Sequence, residues 1–162
     1  MTIRVLYVDD EQDLLDIGKI FLEEDKKFEV ITVPDACTAL ELIRTNGKFD
    51  AIISDYHMPG MNGIQFLVEV RKRHPDTPFI IFTGRSREDI AILALNNGAT
   101  FYFQKGGDPG SQFAELSNRI AQSVSHCQTR EELVAAYEEL KASNEELRIA
   151  LIRLKAYNGH TV

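Results

Sequence analysis

Short, nearly continuous apolar runs alternate along the chain with longer segments in which apolar residues recur every three or four positions. The runs are rich in β-branched and aromatic residues, which favours buried strands, and the spacing of the longer segments favours amphipathic helices. The predicted strands cover residues 3–8, 28–33, 51–54, 79–82 and 100–103. Because strand and helix alternate five times, the pattern predicts an α/β fold with a parallel sheet covered by helices on both faces.

Local signals mark the ends of several predicted helices. Pro34 and Asp35 are expected to begin the second helix, and the Asn46-Gly47 pair is expected to end it. The third helix is predicted over 64–73. Ser86 is a candidate cap for the fourth helix, and the fifth is expected to begin near Ser111.

Polar residues follow four of the five predicted strands. Right-handed crossovers between parallel strands place all the carboxyl ends at one edge of a sheet, where open α/β folds bind their ligands. The segment from 51 to 63 is the most informative, because an apolar run ends in a single carboxylate and a turn rich in Pro and Gly follows. The residues expected to converge at this edge are Asp9, Asp10, Asp55, Thr83 and Lys105.

Three carboxylates at one edge repel one another, by roughly 4 kcal/mol for each pair at about 4 Å and an effective dielectric constant near 20. A small, hard divalent cation such as Mg²⁺ would compensate this repulsion through oxygen ligands. Lys105 adds a positive charge, and Thr83 adds a hydroxyl donor. This combination of groups is typical of phosphoryl transfer and makes Asp55 a candidate nucleophile that forms an aspartyl phosphate.

Each of these features has a simpler interpretation when it is taken alone. Paired aspartates after a strand often form a turn or cap a helix, and Tyr102 in an apolar strand is an ordinary core residue. The imidazole of His57 has no second His or Cys at ligand spacing, so its side chain is expected to face solvent. The joint placement of the polar residues favours a functional acidic site.

The chain resembles the response-regulator receiver family over about residues 1–125. The resemblance depends on Asp9-Asp10, on Asp55 with its Met58-Pro59-Gly60 turn, on Thr83 before a small residue, and on Tyr102 and Lys105. It implies a doubly wound, flavodoxin-like sheet of five parallel strands in the order 2-1-3-4-5, the arrangement for which a chemotaxis member of that family is a standard example. It also implies that a sensor histidine kinase phosphorylates Asp55.

The resemblance implies a role for each site residue. Asp10 would bind Mg²⁺ directly and Asp9 through water, while Asp55 and the backbone carbonyl of His57 would complete the protein ligands. Lys105 and Thr83 would act with Asp55 in catalysis, Lys105 by pairing with one phosphoryl oxygen and Thr83 by moving inward to bond another. Thr83 and Tyr102 would form the switch, since Tyr102 would turn into the space that Thr83 leaves.

The sequence departs from the family at two places. Gly106-Gly107 follows Lys105, where the family usually has a proline, and this should loosen the loop before the fifth helix. His57 and Arg85 lie two residues beyond Asp55 and Thr83, and they are expected to change the access and orientation of the water that hydrolyses the acyl phosphate.

A second region, residues 126–162, is predicted to form a helical extension of the receiver domain at 1–125. The Thr129–Glu132 pattern resembles a capping box, which would begin a new helix or reset an existing one, and a hinge or phase break is expected near Ser125–Gln128. The apolar residues alternate four and three apart, as in a coiled coil. The proposed dimerisation positions are Leu133, Tyr137, Leu140, Asn144, Leu147, Leu151 and Leu154.

Asn144 occupies an a position of these heptads, where one polar residue can specify register and oligomeric state. Together with the Lys and Arg residues at the e positions, it favours a parallel homodimer. The alternative is an amphipathic helix folded back on its own receiver domain.

Composition restricts the classes of function. The net charge of -7 and the absence of a basic cluster argue against nucleic-acid binding. The sequence shows no signal peptide or membrane-spanning run, so a soluble, cytoplasmic protein that does not bind membranes is expected. Cys37 and Cys127 lack a CxxC partner and are expected to be reduced core thiols.

The sequence as a whole predicts a response regulator that signals through a downstream protein partner or by dimerisation rather than by binding DNA. It is not expected to be an enzyme beyond its own phosphorylation and dephosphorylation. One alternative is a scaffold whose receiver domain no longer signals. Another is a Mg²⁺-dependent phosphatase of the haloacid-dehalogenase type, although the residues after Asp55 do not match the DxDxT motif of that family.

Overall fold

A computed structural model describes residues 1–84 and 87–159 of the chain. The strands lie within one residue of the predicted positions, and five helices alternate with them. The elements are β1 (Ile3–Val8), α1 (Gln12–Glu23), β2 (Phe28–Val33), α2 (Ala36–Asn46), β3 (Ala51–Ser54), α3 (Gly63–Arg71), β4 (Phe79–Thr83), α4 (Glu88–Asn96), β5 (Phe101–Gln104) and α5 (Pro109–Asn158).

All five strands are parallel, in the order β2-β1-β3-β4-β5. This confirms the doubly wound α/β sheet. The register aligns the carboxyl ends of the central strands, since Val8 of β1 pairs with both Val33 of β2 and Ser54 of β3. The ladder continues past the strands, because the Asp55 N–H donates to the Val8 carbonyl at 2.9 Å and the Lys105 N–H donates to the Thr83 carbonyl at 2.8 Å.

The core consists of two apolar layers, one on each face of the sheet. Alternate residues of β1 enter different layers, with Leu6 and Val8 in one and Val5 and Tyr7 in the other. The first layer packs against α2, α3 and α4, and the second packs against α1 and the start of α5. Burial on both faces explains why the strands are continuously apolar in sequence.

Several apolar helical residues remain at the surface. In α1 the buried positions are Leu15, Gly18 and Leu22, and in α4 they are Ile90 and Ala94. Periodicity alone did not distinguish these positions from their apolar neighbours, because both sets recur at helical spacing. The large exposed side chains of the two helices are Ile17, Ile20, Phe21, Ile92, Leu93 and Leu95.

The helix caps agree partly with the local signals. The Asp35 carboxylate caps α2 by accepting the Thr38 N–H at 2.7 Å. Asn62 forms a capping box with Gln65 at the start of α3, which sequence reasoning missed. The predicted cap at Ser86 lies outside the described residues, and α4 begins after Arg87 without a side-chain cap.

Neither Cys37 nor Cys127 is in a disulfide bond, but the prediction that they lie in the core is wrong. Cys37 is exposed near the first turn of α2, because the buried positions of that helix are taken by Ala36, Ala39 and Ile43. Cys127 is half-buried, and its thiol donates to the backbone carbonyl of Asp76 at 3.3 Å.

The long C-terminal helix is present, and α5 continues without interruption from Pro109 to Asn158. The prediction of a new helix at Thr129 is therefore wrong, and the backbone stays helical through the expected hinge at Ser125–Gln128. Neither residues 125–128 nor residues 129–132 include a Gly or Pro that would stop a helix. The chain divides into two compact units, Met1–Cys127 and a second that begins at Gln128. Within the described ranges, no helix is long and apolar enough to cross a membrane.

Candidate functional site

The carboxyl ends of β1, β3, β4 and β5 bring four polar side chains together. Asp9, Asp55 and Thr83 are 0%, 4% and 1% exposed, and Lys105 reaches them from the end of β5 with a side chain that is 11% exposed. The Lys105 ammonium lies 2.6 Å from Asp9 Oδ2 and 3.7 Å from Asp55 Oδ1. Charged groups this deeply buried are stabilised only by close partners of opposite charge.

Asp55 is held from several directions by the backbone around it. Its Oδ1 accepts the N–H of Tyr56 at 2.8 Å, and its carbonyl oxygen accepts the Ser54 hydroxyl at 2.8 Å. The loop that follows turns back over this strand end, where the Gly63 N–H donates to the Tyr56 carbonyl at 2.9 Å. The carboxyl group of Asp55 therefore has a defined orientation at the sheet edge.

The pKa of Asp55 is raised above its ordinary value. Burial is the largest cause, the positive charge of Lys105 opposes it, and the negative charge of Asp9 adds to it. Hydrogen bonding by the Tyr56 N–H and the Thr83 hydroxyl also opposes the increase. The ionised carboxylate is therefore less stable here than in water, and a positively charged ligand or a loss of its charge would relieve this.

This raised pKa predicts how stability depends on pH. The folded state binds the Asp55 proton more tightly than the unfolded chain does, so stability falls as pH rises from about 3.8 through the pKa of the folded state. Asp55→Asn carries no charge and avoids that loss. We expect its Tm to exceed that of the wild type by about 3 °C at pH 7. This difference in Tm should vanish below about pH 3.8. Thermal unfolding followed by circular dichroism measures it, and a difference in Tm that stayed constant with pH would show that Asp55 is not responsible.

The compact group of carboxylates is formed by Asp9, Glu11 and Asp55, whose oxygens all lie within 4.8 Å of one another. Glu11 Oε1 lies 3.9 Å from the Lys105 ammonium, and the Glu11 N–H donates to Asp9 Oδ1 at 3.0 Å. Sequence reasoning missed Glu11, although its place as the third acid after β1 was a signal. Asp10 is exposed and lies at the wall of the cavity above the carboxylates.

That cavity has a volume of about 540 Å³ and is lined by acidic, basic and hydroxyl groups. His57 lies at its wall with an exposed side chain, and the imidazole packs edge-on against the Tyr56 ring at 4.7 Å between centroids. Arg85, which was predicted to act with His57, lies outside the described residues. The lining residues are Asp10, Glu11, Asp55, His57, Thr83, Gly84 and Lys105.

Tyr102 lies in β5, paired with Ile81 of β4, and its half-buried ring packs against the layer formed with α2, α3 and α4. Burial raises the pKa of its phenol, while a hydrogen bond with the Arg87 backbone opposes that increase. Tyr102 therefore links the strand beside Thr83 to the start of α4.

An aromatic cluster lies beneath the charged groups. The Lys105 ammonium is 5.6 Å from the centre of the Phe82 ring, and Phe82 contacts Tyr7, Phe103 and Phe113 at centroid distances of 6.4, 5.9 and 5.7 Å. Burial, followed by the charges of the nearby carboxylates, raises the pKa of Tyr7, so its hydroxyl stays protonated. The rings of this cluster come from three strands and one helix, so no local sequence signal could indicate it.

The loop after Lys105 has the backbone conformation that its glycines allow. Gly106 and Gly107 have φ angles of 146° and 85°, which side chains other than glycine rarely adopt. None of the described peptide bonds is cis. The chain therefore leaves β5 by a route that a proline at position 106, with φ near −65°, could not follow.

Gly63 is required for the close approach of α3 to the site. A Cβ at this position would lie 2.2 Å from the Asp55 carbonyl oxygen. We expect Gly63→Ala to lower the free energy of unfolding by about 3 kcal/mol, because backbone atoms must move to relieve the overlap. Urea denaturation measures this effect.

Gly60→Ala is the matched control, because Gly60 lies in the same loop at φ 81° with no atom within 4 Å of a built Cβ. Gly60→Ala should lower the free energy of unfolding by only about 1 kcal/mol, because only the strain of its backbone conformation opposes a side chain there. Equal losses for the two variants would contradict the contact with Asp55.

Comparison with known proteins gives one consistent family. A family model described as the response regulator receiver domain matches residues 5–117. The chain is 30% identical over 160 residues to the response regulator SaeR of Staphylococcus aureus, a match that covers 98% of this chain and 65% of that protein. The chain thus spans less than two thirds of the length of this relative.

Solved structures agree with the family match. A response regulator receiver domain protein from Clostridium thermocellum is 30% identical with a TM-score of 0.67, covering 82% of this chain and 98% of that one. The receiver domain of the Francisella response regulator 1452 is 28% identical with a TM-score of 0.69, covering 77% and 98%.

Proposed function

Because the chain belongs to the response regulator receiver family, we propose that it accepts a phosphoryl group on Asp55 from a sensor histidine kinase and passes this state to a downstream protein partner. One observation carries the proposal: Asp55 is buried at a strand end with the Lys105 ammonium 3.7 Å from its Oδ1. A nucleophile beside a fixed cation suits phosphoryl transfer, in which positioning and charge neutralisation supply most of the catalysis.

In this proposal an Asp55 carboxylate oxygen attacks phosphorus, and the bond from phosphorus to the donor breaks with its electron pair leaving on the donor. The Tyr56 N–H, at 2.8 Å from Oδ1, keeps the carboxyl group oriented during attack. Lys105, now paired with Asp9 at 2.6 Å, would turn to a phosphoryl oxygen. The Thr83 hydroxyl would bond another oxygen, and Tyr102 would follow it inward and change the surface near α4.

The residues present suit Mg²⁺. Asp9, Glu11 and Asp55 offer clustered, hard oxygen donors, which are the ligands this ion prefers. We assign direct ligation to Asp10, Asp55 and the backbone carbonyl of His57, and water-mediated contact to Asp9. When bound, the ion supplies positive charge that offsets the phosphoryl oxygens. Glu11 would then turn away towards solvent, since its side chain is already 64% exposed.

The helical unit that begins at Gln128 is proposed to pair with a second copy of the chain. Its a and d side chains form an exposed surface that is apolar except at Asn144, with 69% of Leu133, 63% of Tyr137 and 59% of Leu154 accessible to solvent. Exposed apolar surface of this extent is typical of interaction sites. The net charge of -7 supports a protein partner rather than nucleic acid as the target of the output.

Labelling with acetyl phosphate and Mg²⁺ tests the proposal directly. Intact-mass spectrometry should show one phosphoryl group per chain, and hydrolysis of a general phosphoester such as para-nitrophenyl phosphate should not occur. Sustained turnover of that ester would indicate a phosphatase instead. Absence of both labelling and beryllofluoride binding would leave a scaffold that no longer signals through Asp55.

A further inference from the structure

Tyr7 is a polar residue in a position that the proposed chemistry has not yet used. Its side chain is 0% exposed, and in the described part of the chain its hydroxyl is the one buried side-chain polar atom without a hydrogen-bond partner. Such a group is unfavourable because it has left water without replacing the bonds it made there. An unpartnered hydroxyl at this depth requires an explanation in the function of the neighbouring site.

The hydroxyl is directed towards the carboxylates. Tyr7 precedes Asp9 by two residues along β1, so both side chains leave the same face of the sheet. The charges of Asp9, Asp55 and Glu11 all act on the phenol. The hydroxyl lies close enough to the Asp9 carboxylate for this interaction to contribute to the raised pKa of the phenol, but it makes no hydrogen bond of ordinary distance and angle.

The ring cannot leave this place. A Cβ at Gly18 would lie 2.5 Å from Tyr7 Cε1, so α1 packs directly on the ring through a residue without a side chain. The Phe82 ring lies on another side, 6.4 Å away between centroids. Packing therefore holds the hydroxyl near Asp9, and only small movements of the carboxylate are needed to form a bond.

Asp9 has its own requirement for partners. Its Oδ2 accepts Lys105 at 2.6 Å and its Oδ1 accepts the Glu11 N–H at 3.0 Å. Asp9 is completely buried, so loss of the ammonium would leave its charge with the Glu11 N–H and only the proposed water-mediated contact to Mg²⁺. Under the proposed function, Lys105 moves from Asp9 to the phosphoryl group.

We propose that Tyr7 is a positioning residue whose hydroxyl donates to the Asp9 carboxylate when Lys105 leaves Asp9 for the phosphoryl group on Asp55. This inference rests on the proposed function for the movement of Lys105, but the hydrogen bond itself can be tested without phosphorylation. The hydroxyl is unpartnered in the unmodified state because its partner is still occupied by Lys105. It favours the phosphorylated state by satisfying Asp9 there.

The hydrogen bond from Tyr7 to Asp9 can be tested by comparing the Tm of the full chain in four proteins. These are the wild type, Tyr7→Phe, Lys105→Met and the double variant. With Lys105 present, Tyr7→Phe removes an unsatisfied hydroxyl and should raise Tm by about 2 °C. With Lys105→Met, the hydroxyl has become the partner of Asp9, and the same change should lower Tm by about 3 °C. The reversal of sign is the signature of the bond.

Tyr157→Phe is the matched control, because it removes a hydroxyl from a side chain that is 77% exposed and lies outside the proposed dimerisation positions. It should leave Tm unchanged in both backgrounds. Equal shifts for Tyr7→Phe with and without Lys105 would overturn the inference, because a purely structural ring would respond identically in the two.

Binding of beryllofluoride with Mg²⁺, followed by calorimetry, connects the bond to the phosphorylated state. Tyr7→Phe should weaken this binding about tenfold, and Tyr157→Phe should not change it. Equal affinity for wild type and Tyr7→Phe would overturn the role in the movement of Lys105. Absence of binding by the wild type would reject both the proposed function and the role of Tyr7 in the movement of Lys105. The Tm comparison of the four proteins would still decide whether Tyr7 donates to Asp9.

Discussion

We expect Asp55→Asn to lose all labelling by acetyl phosphate while it keeps its fold and gains about 3 °C in Tm at pH 7. The amide keeps the shape of the side chain and can still accept the Tyr56 N–H, which now lies 2.8 Å from Oδ1. It lacks the anionic oxygen that attacks phosphorus, so no acyl phosphate can form. Intact-mass spectrometry after incubation with acetyl phosphate and Mg²⁺ is the measurement.

Asp13→Asn is the control for this result. Asp13 is an exposed acid in the first turn of α1, and its replacement removes the same formal charge. It should be labelled as fully as the wild type. Labelling of Asp55→Asn at the wild-type level would move the acceptor to another residue and would contradict the proposed function. A partial decrease in both variants would instead reflect the lost charge alone.

We expect the replacement of Leu140 and Leu147 together with Asn to convert the proposed dimer of the full chain to a monomer. Both occupy d positions and are 60% and 61% exposed. In a pair of helices their burial would supply about 1.5–3 kcal/mol for each side chain, so four substituted positions in a dimer remove most of the association energy. Light scattering coupled to size-exclusion chromatography gives the mass directly.

The matched control is the pair Ile149→Asn and Ile152→Asn, which changes two apolar residues of the same helix outside the a and d positions. These side chains are 43% and 64% exposed, so the same amount of apolar character is lost from another face. The control should remain dimeric. Equal dissociation by both pairs would contradict the heptad seam, and a wild type that is monomeric would favour a helix that serves another partner.

Beryllofluoride added to each of these proteins tests whether pairing depends on the state of Asp55. A dimer that strengthens with the mimic would couple the two units, since α5 runs from the receiver domain into the second unit without interruption. Equal dimerisation with and without it would show that the helix pairs constitutively. The heptads themselves specify no dependence on phosphorylation.

The alternation of strands and helices could be predicted closely because it depends on neighbours in sequence. Apolar runs such as 51–54 are local, and their period distinguishes strand from helix. The convergence of the polar strand ends at one edge of the sheet followed from the rule for right-handed crossovers. The roles assigned to Asp10, Thr83 and Tyr102 remain predictions, since Asp10 is assigned to a bound Mg²⁺ and the other two to a phosphorylated state.

Other features depended on residues far apart in the chain. Glu11 joins Asp9 and Asp55 because its N–H donates to the Asp9 carboxylate and its own carboxylate lies near the Lys105 ammonium. Arg71 donates to the carbonyls of Gly98, His74 and Thr77, and so ties the end of α3 to two loops. No spacing in the sequence predicts the contacts of Arg71.

The sequence by itself determined the α/β class, the strand positions and the candidate phosphoryl acceptor Asp55, because periodicity and strand ends are local properties. Only the tertiary structure decided that Tyr7 lies beneath Asp9 with an unpartnered hydroxyl and that Gly18 makes room for its ring. The physical reason is that such positions are set by packing between β1 and α1 and by the burial of charges. These depend on distances in space, which the order of residues does not contain.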